Sequence, residues 1–232
     1  VNLHWGGGTP TMLSAEDFPA LMDTVRDNFR LAADADVAVE IDPRTLTRDM
    51  AYALAGAGVN RASLGVQDFN DHVQKAINRI QPFEATERAV QWLRDAGIAA
   101  INFDLMYGLP EQSAGDVVRS VNYAHRLAPD RLAVFGYAHV PWIKPHQRMI
   151  DEESLPDASE RFGHFTAAAE RLNELGYRSI GLDHFAREDD ALTLALDEGR
   201  LRRNFQGYTT DGADVLLGFG ASSIGSLNEG YV

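Results

Sequence analysis

Three consecutive glycines, Gly6 to Gly8, follow a short apolar stretch at residues 1–5 and constrain the fold of this chain most strongly. The apolar stretch predicts a buried strand, and Thr9-Pro10 leads towards a helix expected to begin near Ser14. Glycines in such a turn let backbone N–H and C=O groups approach a ligand with no Cβ in the way. The pattern predicts half of a βα unit with a candidate binding turn. On the triplet alone, a glycine loop that merely reverses the chain is an equal alternative.

Composition and charge limit the class of protein. With 232 residues, of which 45% are hydrophobic and 24% charged, one α/β domain is expected. No apolar run approaches the roughly 20 residues of a membrane helix and no signal peptide is recognisable, which predicts a cytoplasmic protein with no membrane partner. The net charge of -13 argues against a nucleic-acid partner, because a phosphate backbone would be repelled.

The sequence contains no cysteine, which excludes disulfides, zinc fingers and thiolate-ligated clusters within these residues. The histidines show no His-Glu-x-x-His spacing, so no metal site is predicted from them. Val1 already lies within a strand pattern, and we therefore expect the chain to be a piece of a longer protein.

Strand and helix patterns alternate about six times along the chain. Strands are predicted at residues 1–5, 36–42, 61–67, 99–106, 132–138 and 178–185, with helices at 14–29, 45–57, 73–77, 84–97, 115–128, 158–175 and 189–198. Residues 140–156 are predicted to form a long loop with a short helix, and residues 204–225 a turn-rich tail. Alternating short apolar strands and helices are typical of a parallel sheet, so the predicted fold class is α/β, a partial (β/α)6 TIM-like barrel.

Polar or small residues end several of the predicted strands. They are Gly8-Thr9, Glu40, Gln67, Asp104 and Ala138. A polar group in an apolar strand costs free energy unless something pairs with it, and in βα barrels the carboxyl ends of the strands form the binding face. Arg79 could bind a carboxylate through a bidentate pair of hydrogen bonds. The set predicts a pocket for a polar, zwitterionic ligand, although each residue alone could have a purely structural role.

Four motifs spread over the whole chain resemble the oxygen-independent coproporphyrinogen III oxidase (dehydrogenase) family of radical S-adenosylmethionine enzymes. They are Trp-Gly-Gly-Gly-Thr-Pro-Thr at 5–11, Gly-Val-Gln-Asp-Phe at 65–69, Asp-Leu-Met-Tyr-Gly-Leu-Pro at 104–110 and Arg-Asn-Phe-Gln-Gly-Tyr-Thr-Thr at 203–210. The first motif is shared by many radical S-adenosylmethionine enzymes. The last, together with Asp-His-Phe-Ala-Arg at 183–187, is much more specific to this family.

The resemblance implies a role for each matched position. Gly7, Gly8 and Thr9 would meet the methionine amino group of S-adenosylmethionine, and Glu40 would add a hydrogen bond to the same cofactor. Gln67 and Asp104 would serve the ribose side and Arg79 the methionine carboxylate, while Ala138 and Ile224 would flank the adenine. No catalytic residue is assigned beyond this cofactor-binding set.

The resemblance also implies a 4Fe-4S cluster, which the family holds with three cysteines that this sequence lacks. We expect residues 1–232 to be the central and C-terminal part of the radical S-adenosylmethionine barrel, without its first strand, its cluster loop and a C-terminal domain, and to be inactive alone. In the intact protein, a 5′-deoxyadenosyl radical would remove a hydrogen from a propionate of coproporphyrinogen III, and loss of CO2 and one electron would leave a vinyl group. The implied partners are coproporphyrinogen III and an electron donor for the cluster, and the expected state is a monomer.

Two other functions are considered. One is the haem-binding chaperone related to this family, which the motif at 203–210 and the run at 184–187 disfavour. The other is a cluster-free barrel aldolase or lyase, which needs a Schiff-base lysine or a metal, whereas the only lysines, Lys75 and Lys144, lie outside the predicted strands. For a substrate with several carboxylates, Arg148, Arg187 and Arg203 are candidate contacts, with simple surface placement as the alternative.

Overall fold

The computed structural model describes residues 2–204, 206–228 and 230–231, so the predictions that involve Val1 and Phe205 lie outside the described residues. The strands are β1 Leu3–Trp5, β2 Val37–Ile41, β3 Arg61–Gln67, β4 Ala100–Tyr107, β5 Arg131–Gly136, β6 Tyr177–Ser179, β7 His184–Arg187, β8 Arg202–Asn204, β9 Gly207–Thr209, β10 Ser226–Leu227 and β11 Gly230–Tyr231. The helices are α1 Asp17–Asn28, α2 Arg48–Gly56, α3 Asp71–Ala76, α4 Phe83–Asp95, α5 Ala114–Arg126, α6 Ala158–Glu174 and α7 Ala191–Asp197.

Seven strands form the main sheet, in the order β1-β2-β3-β4-β5-β7-β6. The first five run parallel, each paired with the next along the chain, as successive right-handed βα units require. This arrangement confirms the α/β prediction and the partial barrel-like strand order.

The two faces of the sheet differ in chemistry, because burial alternates along β2, β3 and β4. The outer face packs on α1, α2, α4, α5 and α6 and carries fully buried side chains such as Val39, Leu64 and Phe103. The inner face carries polar side chains such as Glu40, Ser63 and Asp104 at the alternate positions. A strand that is apolar on one face only thereby presents polar groups to the inside of the open barrel.

The predicted sixth strand at 178–185 is wrong, because the chain reverses within it. β6 and β7 are an antiparallel hairpin, and β7 also pairs antiparallel with β5. The Tyr208 hydroxyl lies against Gly181, where a Cβ would collide with it, and Leu182 N–H donates to that hydroxyl over 3.1 Å. This contact with a distant tyrosine fixes a turn that the local pattern does not reveal.

Smaller differences concern the ends of elements. β5 ends at Gly136, so Ala138 lies two residues beyond the strand rather than at its end. α1 begins at Asp17 rather than near Ser14, and Asp17 N–H donates to Ser14 Oγ over 3.0 Å. The predicted loop at 140–156 contains two short 3₁₀ helices, Pro145–Met149 and Glu152–Ser154. None of the helices among the described residues is long and apolar enough to cross a bilayer.

We expect Phe103→Ala to lower the free energy of unfolding by about 3–5 kcal/mol, because Phe103 is fully buried in the central strand and its removal leaves a cavity. Urea unfolding followed by circular dichroism measures the change. Phe162→Ala is the matched control, since Phe162 is 73% exposed and should change stability little. Equal losses in the two variants would contradict this account of the core.

Candidate functional site

The inner face of the sheet encloses a cavity of about 1170 Å³. Side chains from β1 to β5 and from β7 line one side, and the segment 216–224 lines the other. The segment packs near the end of α1, where the Phe219 and Phe29 ring centroids are 5.7 Å apart. A chain that carries polar groups on one face of its sheet thus places them around a single internal space.

Glu40 links the first two strands to the glycine turn. Its Oε1 lies 3.1 Å from His4 Nε2, and its Oε2 accepts a hydrogen bond from Gly7 N–H over 3.3 Å. His4 is on β1 and Glu40 on β2, two residues beyond the position that faces His4 in the parallel register. The carboxylate therefore fixes the direction in which the chain leaves β1.

Gly6 is the residue that this arrangement requires to be glycine. A Cβ at position 6 would lie 2.8 Å from both Glu40 Oε1 and His4 Nε2, closer than real side-chain contacts allow. Gly7 and Gly8 have φ angles of 76° and 91°, which other residues rarely adopt. A Cβ on Gly7 would also lie 2.7 Å from Ser222 Oγ, so the segment 216–224 contacts the turn closely.

Glu40 and Asp104, two of the carboxyl groups that line the cavity, differ in their electrostatics. The hydrogen bond from His4 keeps the pKa of Glu40 below its usual value. Burial acts in the opposite direction, whereas the charge of His4 and the hydrogen bond from Gly7 N–H lower this pKa further. Burial raises the pKa of Asp104 to about 7. The hydrogen bond from the Ser63 hydroxyl lowers this pKa in part, and the neighbouring charge of Glu40 raises it further. Ser63 Oγ lies 3.4 and 3.3 Å from the two Asp104 oxygens. The pair offers an anionic acceptor beside a carboxyl group that can donate or accept near neutral pH.

Of the nine predicted site residues, Gly7, Glu40, Asp104 and Ile224 line the cavity, whereas Gly8, Thr9, Gln67, Arg79 and Ala138 do not. Ile224 is 40% exposed and belongs to the segment 216–224. Ala138 is an exposed residue after β5, and its carbonyl accepts from Gln147 Nε2 over 3.0 Å. The structure thus brings four of the nine positions together around one cavity, and their proposed ligand roles remain predictions.

Gln67 and Arg79 form a second group beside Gly65. A Cβ at Gly65 would be 3.1 Å from Gln67 Nε2 and 3.7 Å from Arg79 Nη2. The ladder between β3 and β4 shifts register between Gly65 and Gln67, and Gln67 has a φ of 69°. Such a bulge redirects a side chain, which explains why strand alternation alone does not place Gln67.

Arg79 is partly engaged within the protein. Its Nη2 donates to Gly65 O over 2.8 Å, and its Nη1 lies 3.4 Å from Asp42 Oδ2. Its Nε is buried and has no hydrogen-bond partner within residues 2–204, 206–228 and 230–231. An anionic ligand at this point would meet a guanidinium that retains a positive charge and an unsatisfied donor.

The opposite end of the cavity contains two ion pairs that the sequence reasoning missed. Arg61 Nε lies 3.2 Å from Asp36 Oδ2, and Arg131 Nε lies 2.9 Å from Asp190 Oδ2. Arg61 and Arg131 are the first residues of β3 and β5, on the same alternation as Ser63 and Phe135. Counting every second residue backwards from Gln67 reaches Arg61, whereas the same count from Ala138 passes over Arg131.

The motifs at 183–187 and 203–210 meet at one wall of the cavity. His184 Nδ1 is 2.6 Å from Asp183 Oδ1, and its ring lies edge-on to Tyr208 with centroids 5.3 Å apart. His184 and Tyr208 both line the cavity. The arginines considered for a substrate with several carboxylates, Arg148, Arg187 and Arg203, are all exposed.

The described residues contain no group of three or more histidine, cysteine, aspartate or glutamate side chains placed to hold a metal ion. The cavity groups identified above are instead suited to amino, hydroxyl and backbone hydrogen bonds. The residues that line the large cavity therefore favour an organic ligand with several polar groups.

We expect Asp104→Asn to remove a pH dependence of stability between about pH 4 and pH 7. In this window the folded protein binds a proton at Asp104 that the unfolded chain, with a pKa of about 3.9, has lost, so the contribution of Asp104 to the wild-type free energy of unfolding falls as pH rises. The slope attributable to Asp104 is about 1.4 kcal/mol per pH unit. Urea unfolding at intervals from pH 4 to pH 8 measures it. The exposed Asp27→Asn serves as control, and an unchanged slope in Asp104→Asn would contradict the prediction.

Comparisons with known proteins identify the family of this chain. The family model of the Radical SAM superfamily matches residues 1–124. The chain is 58% identical over 231 residues to an oxygen-independent coproporphyrinogen III oxidase of Bradyrhizobium diazoefficiens, covering 100% of this chain and 51% of that protein. It is 45% identical over 229 residues to a protein of the same name from Synechocystis, covering 99% of this chain and 49% of that protein.

A solved structure shares the fold over nearly the whole chain. Coproporphyrinogen III oxidase (HemN) from Escherichia coli, a radical SAM enzyme, superimposes with a TM-score of 0.95 at 43% identity, over 99% of this chain and 53% of that chain. The chain thus spans about half the length of the relatives that it matches. Because the family model matches more than half of the chain, the chain belongs to the radical SAM superfamily.

Proposed function

We propose that this chain is the cofactor-binding barrel part of an oxygen-independent coproporphyrinogen III oxidase. The reaction is oxidative decarboxylation of coproporphyrinogen III propionates to vinyl groups, giving protoporphyrinogen IX in anaerobic haem biosynthesis. The observation that carries the proposal is the Glu40 carboxylate, which holds the glycine turn at the edge of the large cavity. The names of two relatives support it. Each of these relatives aligns with the whole of this chain over about half of its own length.

S-adenosylmethionine fits the groups present. It carries an amino group, a carboxylate, ribose hydroxyls and an adenine, and when bound in this family it supplies one-electron chemistry. We assign its amino group to Gly7, Gly8, Thr9 and Glu40, where an anion and a turn without side chains are available. The remaining contacts are assigned to the ribose (Gln67, Asp104), the carboxylate (Arg79) and the adenine (Ala138, Ile224).

Each charged residue has a distinct task in this proposal. Glu40, anionic because of His4 and Gly7, attracts a cationic amine and keeps the turn in one conformation. Asp104, whose pKa is about 7, can accept from or donate to a ribose hydroxyl. Ser63 fixes the rotation of the Asp104 carboxyl group. These contacts orient the ligand, and the segment 216–224 limits access of water to it.

A 4Fe-4S cluster does not fit the residues of this chain, because the sequence has no cysteine. We propose that its ligands lie outside residues 1–232, and we assign no step to it here. An electron donor, a monomeric state and a cytoplasmic location are part of the same proposal, with no nucleic-acid or membrane partner.

The test uses a chimera in which residues 1–232 replace the matching segment of the Bradyrhizobium relative. After anaerobic reconstitution with iron and sulfide and reduction, S-adenosylmethionine and coproporphyrinogen III are added, and 5′-deoxyadenosine and CO2 are measured together by mass spectrometry. We expect both products. We expect Glu40→Gln and Asp104→Asn to lower both at least about tenfold, the effect of losing a charged hydrogen bond, with Asp27→Asn unchanged.

The other outcomes separate the alternatives. 5′-Deoxyadenosine without CO2 would keep the radical chemistry but make the substrate wrong. Neither product, with the cluster confirmed by its absorption spectrum and with tight haem binding, would favour the haem-binding relative of this family.

A further inference from the structure

A second, smaller cavity of about 360 Å³ lies apart from the one described above. Its lining residues are Tyr107, Ala158, Arg161, Phe162 and Phe165, none of which lines the large cavity. It is located at the carboxyl ends of β4 and β5, because the Arg161 guanidinium lies against Gly108 and Gly136, which end or follow those strands. The carboxyl ends of the strands form the binding face of βα barrels.

Two glycines make room for the guanidinium. A Cβ on Gly108 would be 2.7 Å from Arg161 Nη1, and one on Gly136 would be 3.2 Å from Arg161 Nη2. Gly108 also has a φ of 78°, which favours glycine independently. The main chain at the two strand ends is therefore shaped around this arginine.

The guanidinium of Arg161 has no hydrogen bond or ion pair with any residue in 2–204, 206–228 or 230–231. Several other half-buried arginines differ in this respect, since Arg61 and Arg131 each pair with a carboxylate. An arginine that lines a cavity and has no partner among these residues is suited to bind an anion from outside the chain.

The surroundings of the guanidinium are aromatic. Its central carbon is 5.8 Å from the Tyr107 ring centroid, and the Tyr107 and Phe165 rings are 5.7 Å apart. Phe162, on the first turns of α6, is 73% exposed at the rim. A cation stacked on an aromatic floor with an apolar rim matches a carboxylate carried by a flat apolar group better than a small hydrated anion.

We propose that Arg161 binds a carboxylate of a planar, largely apolar ligand at this strand-end cavity. That the ligand is a propionate-bearing tetrapyrrole rests on the proposed function. Arg161 then sets which side chain of the substrate is held away from the large cavity, and it acts as a specificity-determining residue rather than a participant in the reaction. None of the three arginines considered from the sequence for a substrate with several carboxylates has this placement, since Arg148, Arg187 and Arg203 lie on the surface.

Binding of coproporphyrin III, the stable oxidised porphyrin with four carboxylates, tests the proposal on the chain itself. Fluorescence titration should show at least about tenfold weaker binding to Arg161→Gln than to wild type, and intermediate binding to Arg161→Lys, which keeps the charge but loses the two-pronged contact. The tetramethyl ester of the porphyrin, which has no charge, should bind wild type and Arg161→Gln equally. Arg88→Gln, an exposed arginine on α4, is the charge-matched control and should bind as wild type.

The same variants in the chimera separate this proposal from the proposed function. An active chimera in which Arg161→Gln raises the KM for coproporphyrinogen III, with the affinity for S-adenosylmethionine unchanged, supports both. If the chimera is active but the variant keeps the wild-type KM and porphyrin affinity, the Arg161 proposal is wrong and the function stands. If the chimera yields neither product, the function is wrong, and the porphyrin titration still decides the role of Arg161. Failure of the wild-type chain to bind coproporphyrin III would overturn the Arg161 proposal.

Discussion

The hydrogen bonds of the Glu40 carboxylate hold the candidate site together. One oxygen contacts His4 on the first strand and the other accepts from Gly7 in the glycine turn, so one side chain joins two strands and a loop. The contact is possible only because residue 6 has no Cβ. It also explains why this carboxylate stays charged beside Asp104, whose pKa is raised by burial and by that same charge. The difference between the two groups follows from the burial of Asp104 and from the hydrogen bond that His4 makes to Glu40.

The site exists because the outer face of the sheet is apolar, whereas the inner face also carries polar side chains. Outward side chains such as Leu64 and Phe103 are fully buried against helices and supply the hydrophobic stabilisation. That core can hold the strands in place while the inner face carries groups such as Asp104, whose desolvation is unfavourable in the ligand-free protein. A ligand that hydrogen-bonds to these groups recovers part of that free energy, which is a physical reason for affinity at this position.

Much of the architecture could be predicted from the sequence, because parallel βα units leave a local signal. Short apolar strands and amphipathic helices gave the order of elements up to β5, and the strand-end rule found Glu40 and Asp104. The β6–β7 hairpin could not be found in this way, since its turn depends on Tyr208, 27 positions beyond Gly181. Gln67 was identified, but its direction depends on a bulge. Arg161 was missed because Gly108 and Gly136 are indistinguishable from ordinary turn glycines until the structure places them against its guanidinium.

The central claim is that the Glu40 contact shapes the glycine turn for S-adenosylmethionine, and Gly6→Ala tests it most directly. The added methyl group would lie where Glu40 Oε1 and His4 Nε2 now meet. Isothermal titration calorimetry of the reconstituted chimera should show affinity for S-adenosylmethionine at least about tenfold lower in Gly6→Ala, the scale of a lost charged hydrogen bond. Gly56→Ala, where a Cβ meets nothing within 4 Å, should bind as wild type. Unchanged affinity in a folded Gly6→Ala protein would contradict the claim.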